Sequence, residues 1–344
     1  MFFLIWLLPA VIFASFCLTW CMRRYALGRQ LMDIPGDRSS HAAPIPRGGG
    51  LAIVVSFLFS LVPLLIVSEL QVHEALALLI GGGSIALLGF WDDHGHVSTK
   101  VRLLGHFTAA AVVLALMGGF PALSPFGYGE DLTLLWQLLG AVFLVWILNL
   151  YNFMDGIDGI AGVQAITMCL GSALMHYLYG WDVGITLSLV FAAAVAGFLV
   201  WNFPVAKIFM GDVGSGFVGF TLGVLAIISA EKLTEIFWAC TVLMAAFVTD
   251  ATVTLIRRGL AGEKLSEAHN NHAYQYASRI FGRHLPVTLA FGFINLAWLT
   301  PIAAMIVVGL VDPMLAVAIA YAPLLALAFY FKAGDRKGQV NSTA

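Results

Sequence analysis

The sequence predicts an all-α, polytopic integral membrane protein with about 10–11 transmembrane helices. Three observations predict it. The chain is 60% hydrophobic and only 10% charged, with a mean hydropathy of +0.93, whereas a soluble domain carries about 25% charged residues. Its apolar residues fall into runs close to the ~20 residues that cross a hydrocarbon core. Finally, 16 of the 17 Lys and Arg residues fall on alternate connections between those runs or in the C-terminal tail. The net charge of −2 gives no basis for nucleic-acid binding.

Taken in order, the candidate spans lie at roughly 2–22, 50–70, 75–91, 102–119, 132–150, 160–179, 183–201, 214–230, 236–256, 286–310 and 313–331, a single membrane domain over 1–344. The first run lacks the basic start of a secretory signal; Arg23 and Arg24 follow it instead, so it reads as an uncleaved span. The third run is short, and tight turns join the pairs around Gly180 and Asp312. Cys17, Cys21, Cys169 and Cys240 sit inside apolar runs without metal-ligand spacing and read as packing residues.

Charge sidedness orients the spans. Arg23, Arg24, Arg29, Arg38 and Arg47 precede the second span, Lys100 and Arg102 the fourth, Lys207 the eighth; Arg257, Arg258, Lys264, Arg279 and Arg283 follow the ninth. Only Lys232 lies opposite. The positive-inside rule then puts the N-terminus in the periplasm and the C-terminus in the cytoplasm.

The unusual polar clusters share that cytoplasmic face. Asn149, Asn152, Asp155-Gly156 and Asp158-Gly159 form a string in which the amides are one helical turn apart and the carboxylates stand on a turn. Charged groups beside a membrane are costly and usually functional, although a helix-capping turn with solvated acids would use the same residues. Arg38, His41 and Arg47 lead into Gly48-Gly49-Gly50, whose N–H groups at a helix start suit a phosphate, or serve only as a hinge. Asp92-Asp93, followed by Lys100 and Arg102, needs a metal, a lysine or a proton to offset its repulsion, or is a solvated turn. Asn202 and Asp212 bracket a loop ending Phe209-Met210-Gly211-Asp212-Val213-Gly214-Ser215, where a carboxylate and a helix N-terminus can hold Mg²⁺ and a diphosphate together. Asp250 and Thr254 share a helical face, Arg257 and Arg258 end that span, and His269 and His272 lie at i,i+3 in the following loop. Zinc would want further ligands there, so phosphate or sugar contacts are favoured.

In this order, the paired acids, the Asn/Asp string, the Phe-Met-Gly-Asp-x-Gly-Ser loop and the late histidines resemble the polyprenyl-phosphate N-acetylhexosamine-1-phosphate transferases (the MraY/WecA superfamily, glycosyltransferase 4) over nearly the whole chain. The two-histidine pattern His269-Asn-Asn-His272, with Arg38-Ser-Ser-His41, looks like the WbpL-type O-antigen-initiating branch rather than the histidine run of MraY. The resemblance implies transfer of HexNAc-1-phosphate from a UDP-N-acetylhexosamine to undecaprenyl phosphate at the cytoplasmic face of the bacterial inner membrane, releasing UMP with Mg²⁺ as cofactor and Mn²⁺ as its substitute. The donor sugar would be GlcNAc or a 6-deoxy sugar such as FucNAc or QuiNAc, and a homodimer is kept open. It assigns the metal to Asp212 and catalysis to Asp92, Asp93 and Asp212. Nucleotide and sugar fall to Asn149, Asn152, Asp155, Asp158, Asn202, His269 and His272, and phosphate to Arg38, Arg47, Lys100 and Arg258. The rival readings are a WecA-like GlcNAc-1-phosphate transferase for another surface polymer and, in another class, a transporter of a phosphorylated solute or lipid. A transporter places polar groups near the midplane, whereas these lie at span ends.

Overall fold

A computed structural model describes residues 2–36, 41, 43–67, 70–95, 97–121, 123, 133–264 and 269–335. Each of the eleven apolar runs is helical. They comprise α1 (Phe2–Arg29), α2 (Leu51–Val67), α3 (Val72–Leu76) continuing into α4 (Gly83–His94), α5 (Thr99–Leu116), α6 (Thr133–Met154), α7 (Ile160–Tyr179), α8 (Asp182–Asn202) and α9 (Asp212–Ala230). The ninth run is α10 (Thr234–Leu243) plus α11 (Ala245–Leu260). After the short α12 (Ala273–Phe281), α13 (Leu285–Ile294) continues into α14 (Thr300–Val307), and α15 (Pro313–Tyr330) closes the bundle. Among the described residues nine helices are long and apolar enough to cross a membrane, ten with the broken α10–α11 pair; α2, at 17 residues, is shorter.

Three spans depart from a straight α-helix. The α10–α11 pair bends by 64°. The carbonyl of Leu243 at that break accepts the Gln164 side-chain amide at 3.1 Å, so it is not left bare in an apolar setting. The runs Val72–His94 and Thr300-containing Leu285–Val307 each carry a π-helical turn, Ala77–Gly82 and Asn295–Leu299. In the second, buried Asn295 donates to Gln164 and Thr167, both at 2.7 Å.

Burial separates axis from rim. The apolar stretch of α9 is fully buried, against 17% for α1 and 22% for α5 and α15, so α9 is the axis and the others turn apolar faces outward. Helices α4 and α6 pack on α9. A short antiparallel pair, β1 (Met32–Asp33) with β2 (Ile45–Pro46), folds the first loop over the end where α9 begins. Glycines set that end. A Cβ on Gly50 would overlap the Gly214 backbone, and one on Gly89 would sit 2.5 Å from the Asp212 carbonyl oxygen. Thus α2 and α4 both approach the first turn of α9 at backbone contact.

Candidate active site

The start of α9 is where the polar strings of the sequence meet. Asp93, at the end of α4, is 3% exposed and accepts the backbone N–H groups of Asp212 and Val213, each at 3.1 Å. It is therefore the N-terminal cap of α9, placed across space from another helix. Arg47 donates to the Asp93 carbonyl at 2.6 Å and lies 4.0 Å from its carboxylate. Asp92 accepts the Val97 N–H at 3.0 Å and pairs with Arg102 at 2.5 Å. The same Arg102 nitrogen is 3.8 Å from Asp212 Oδ2, while Asp212 Oδ1 accepts the Asn152 amide at 3.0 Å.

A cavity of about 280 Å³ opens beside this cap. Arg47, Asp93, Asn152, Asp155, Asp158, Asn202 and Asp212 line it together with His41, Phe209, Gln275 and His284. Asp155, on the turn after α6, is half-buried on its wall. Burial and the negative charges of Asp212, Asp158 and Asp93 push its carboxyl well above the usual range. Asp158 goes the other way. Burial pushes it up, but the hydrogen bond with His284 at 3.1 Å and the Ala206 N–H at 3.0 Å outweigh that and hold it below the usual carboxylate range. Asn202 is 2% exposed; it accepts the Gly159 N–H and donates to the Ile208 carbonyl, both at 3.0 Å. Asp158 and Asn202 thus tie three loops into one cavity wall.

A second, smaller cavity of about 70 Å³ lies across Asp212, lined by Asp92, Arg102, His106, Asn149 and Asn152. Asn149 faces this one and not the first; its amide donates to the Val145 carbonyl at 2.7 Å.

Several sequence expectations change. The cation that offsets the paired acids is Arg102, not Lys100, which is exposed at the start of α5 and lines neither cavity. Arg258, 2% exposed, is drawn to Glu263 at 2.8 Å and to the Lys264 carbonyl, and lines neither cavity. His269 and His272 precede α12 instead of sharing a helical face, and they stack at 4.9 Å away from both cavity walls. His272 is 1% exposed and contacts Asp250 at 3.1 Å. Asp250 also accepts the N–H groups of Ala273 and Tyr274 at 2.9 Å, capping α12. That cap delivers Gln275 to the cavity and Tyr274 to the Phe153 carbonyl, at 3.0 Å. The N–H groups of Gly49 and Gly50 bond to the carbonyls of Phe209 and Met210 at 2.9 and 2.8 Å, so the glycine run packs loops together and offers those donors to no phosphate. Arg38 lies outside the described residues. His41, read in the sequence only beside the glycine run, is on the wall, and so are His284 and Gln275, to which the sequence assigns no role; only the fold brings these three together.

The cavity suits a hard divalent cation. Among the described residues five carboxylates line it, from Asp33, Asp93, Asp155, Asp158 and Asp212, against one permanent cation, Arg47. The Asp93 and Asp158 oxygens are engaged by backbone N–H groups, but nothing among the described residues donates to Asp155. Asp155 and Asp212 therefore offer the oxygen donors that Mg²⁺ prefers, with room for waters or phosphate oxygens to complete the set.

Residues 75–230 match the profile of Glycosyl transferase family 4. A Bacillus subtilis (strain 168) protein described as "Probable undecaprenyl-phosphate N-acetylglucosaminyl 1-phosphate transferase" is 29% identical over 74% of this chain and 71% of its own length. The decaprenyl-phosphate N-acetylglucosaminephosphotransferase of Mycolicibacterium smegmatis is 28% identical over 92% of this chain and 87% of its own. The phospho-N-acetylmuramoyl-pentapeptide-transferase of Wolbachia pipientis wMel is 36% identical over 55% of this chain and 61% of its own. The matched stretch, residues 75–230, carries Asp92 and Asn149 of the smaller cavity, Asp93, Asp155 and Asp158 of the larger one, and Asn152 and Asp212, which line both.

Proposed function

We propose that the chain transfers N-acetylhexosamine-1-phosphate from a UDP-N-acetylhexosamine to undecaprenyl phosphate and releases UMP. The observation that carries this reading is the acidic cavity at one end of an apolar bundle, bordered by Arg47 and by the Asp212 start of α9. Only at such an edge do a water-soluble diphosphate and a lipid phosphate meet. The basic sidedness of the chain supports a cytoplasmic position for that edge in the bacterial inner membrane, with the N-terminus periplasmic.

Phosphoryl transfer is mostly positioning and charge neutralisation. Asp155 and Asp212 would hold Mg²⁺. When bound, that ion neutralises charge on the diphosphate and eases departure of UMP. Arg47, against Asp93, provides a permanent positive charge on the cavity lining. Asn152 orients Asp212, and Arg102 holds Asp92 against it. Asp93 acts as a positioning residue, because both its oxygens are committed to α9. A lipid phosphate with second pKa near 6 is mostly dianionic at neutral pH and does not need a base to become a nucleophile.

Relatives aligned over 74% and 92% of this chain are named for N-acetylglucosamine transfer, which supports UDP-GlcNAc first; 6-deoxy donors such as UDP-FucNAc and UDP-QuiNAc come second. Initiation of O-antigen or lipopolysaccharide glycan, as in the WbpL-type branch, is the corresponding proposed role. The test offers UDP-GlcNAc, UDP-FucNAc, UDP-QuiNAc and UDP-muramyl-pentapeptide to the purified protein with undecaprenyl phosphate, and identifies the lipid product by mass spectrometry. A diphospho-HexNAc lipid with UMP release is expected. Efficient use of the pentapeptide donor would reject the donor assignment, and no turnover of any donor would reject the reaction.

A further inference from the structure

The end of the bundle remote from the cavity holds a second cluster of ligating groups. His73 and Glu74 stand in α3, and Glu231 directly follows α9. One donor atom from each lies within 4.8 Å of the other two, and His73 Nε2 is 3.9 Å from Glu231 Oε2. Glu74 is 1% exposed. Its Oε2 accepts the Gln71 N–H at 2.9 Å, but its Oε1 is buried without a hydrogen-bond partner. An unmatched buried carboxylate oxygen is costly, and it is the atom that demands a ligand.

We propose that His73, Glu74 and Glu231 bind a divalent transition-metal ion of the zinc class. One imidazole nitrogen and two carboxylate oxygens suit Zn²⁺, whereas Mg²⁺ and Ca²⁺ prefer an all-oxygen set. Donors about 2.0–2.1 Å from a tetrahedral ion stand roughly 3.3 Å apart. The cluster reaches that spacing by small rotations of His73 and Glu231, both solvent-accessible, leaving a fourth position for water. Burial and the Glu74 charge push the Glu231 carboxyl above its usual range, and His73 and Lys232 oppose them. Lys232 does not fill the cluster, since its ammonium lies 5.7 Å from the centre of the Trp181 ring. A helix cap and a His–Glu ion pair alone would explain Glu74 Oε2 and His73 but leave Oε1 unmatched.

Bound there, the ion would fasten α3 to the far end of the axial helix. Nineteen residues of α9 separate it from the cavity, about 28 Å at 1.5 Å per residue. The site is therefore independent of the one at Asp212.

The test uses the full-length protein in detergent, free of any histidine tag and stripped with a chelator. Zn²⁺ is titrated by calorimetry, retained zinc is counted after desalting, and melting is followed with and without Zn²⁺. His73→Ala and Glu231→Gln change accessible side chains, and size-exclusion elution checks that both fold. Asp212→Asn reports on zinc captured by the cavity. One Zn²⁺ per chain is expected in the parent and in Asp212→Asn, raising the melting temperature of both. Affinity should fall at least tenfold in His73→Ala and in Glu231→Gln. Absence of a bound ion in the parent, equal affinity in all four proteins, or loss in Asp212→Asn alone would overturn the proposal.

Discussion

Asp93 separates two accounts of the cavity. If it is the cap of α9, replacing it acts first on structure and only through structure on chemistry. Its carboxylate makes two hydrogen bonds to the first turn of α9, each 3.1 Å long and in a buried setting. Bonds to charged groups contribute about 1.5–3 kcal/mol each, and loss of an N-cap costs up to about 2 kcal/mol. The two bonds share one carboxylate, so Asp93→Ala should destabilise by roughly 2–4 kcal/mol. Asp93→Asn keeps one acceptor oxygen but turns an amide N–H₂ toward the other donor, so it should lose about half of that. The expected result is a lower melting temperature in detergent for both variants, Ala more than Asn, with kcat reduced in parallel as Asp212 shifts. Because Asp93 does not exchange a proton in this account, the residual activity of Asp93→Asn should keep the parent pH–rate profile. An Asn variant that melts like the parent yet loses the acid limb of that profile would refute the capping argument and point to Asp93 as a general base.

Three further outcomes are expected. Asp212→Asn preserves size and the contact with Asn152 but removes the charge; turnover should fall by roughly 100-fold or more at unchanged folded yield, and near-parental Mg²⁺-dependent activity would remove Asp212 from the metal site. Arg102→Ala breaks the pair with Asp92, whose side chain is 7% exposed, while that of Arg102 is 34% exposed; after allowing for solvent screening this should cost about 1–2 kcal/mol and most of the activity, against under about 0.5 kcal/mol for Lys100→Ala in the same melting and turnover assays. Asp158 has a folded carboxyl held below its ordinary value, so its stabilising contribution is fully present above about pH 3.9 and is lost as pH falls through the folded value; His284→Gln should shrink that acid-limb loss in melting curves taken between pH 7 and 3, and an unchanged curve would show that the ion pair contributes nothing.

The elements were largely legible because a membrane span is a long, local signal: every apolar run became helix. What was not legible was where a run breaks. At the 64° bend between Leu243 and Ala245 the carbonyl of Leu243 is satisfied by Gln164, far away in sequence. The site was legible as a set of strings but not as a division of labour. The Asn/Asp string and the Asp212 loop do converge. The histidine loop looked like substrate contacts because two histidines with amides beside them carry chemistry in any setting. Its fold instead buries His272 against Asp250 and sends Gln275 to the wall. Lys100 and Arg102 were indistinguishable by composition; two residues along a helix turn the side chain by about 200°, and only one of them reaches Asp92.

The acids themselves sort by what their oxygens already hold. Asp93 and Asp250 each accept two backbone N–H groups at a helix start, and Asp158 accepts Ala206 N–H and pairs with His284. Such carboxylates are saturated by donors and fix the positions of α9, α12 and the cavity wall. Asp155 and Asp212 differ. One receives no donor among the described residues, and the other receives a single neutral amide with Arg102 at 3.8 Å. Mutual repulsion then raises the cost of keeping both ionised, and the Mg²⁺ proposed for this cavity would relieve it. The scaffold acids thus hold two under-coordinated oxygens at the membrane edge. Asp→Asn changes should follow this division: at Asp93, Asp158 and Asp250 the first effect falls on melting, and at Asp155 and Asp212 it falls on turnover.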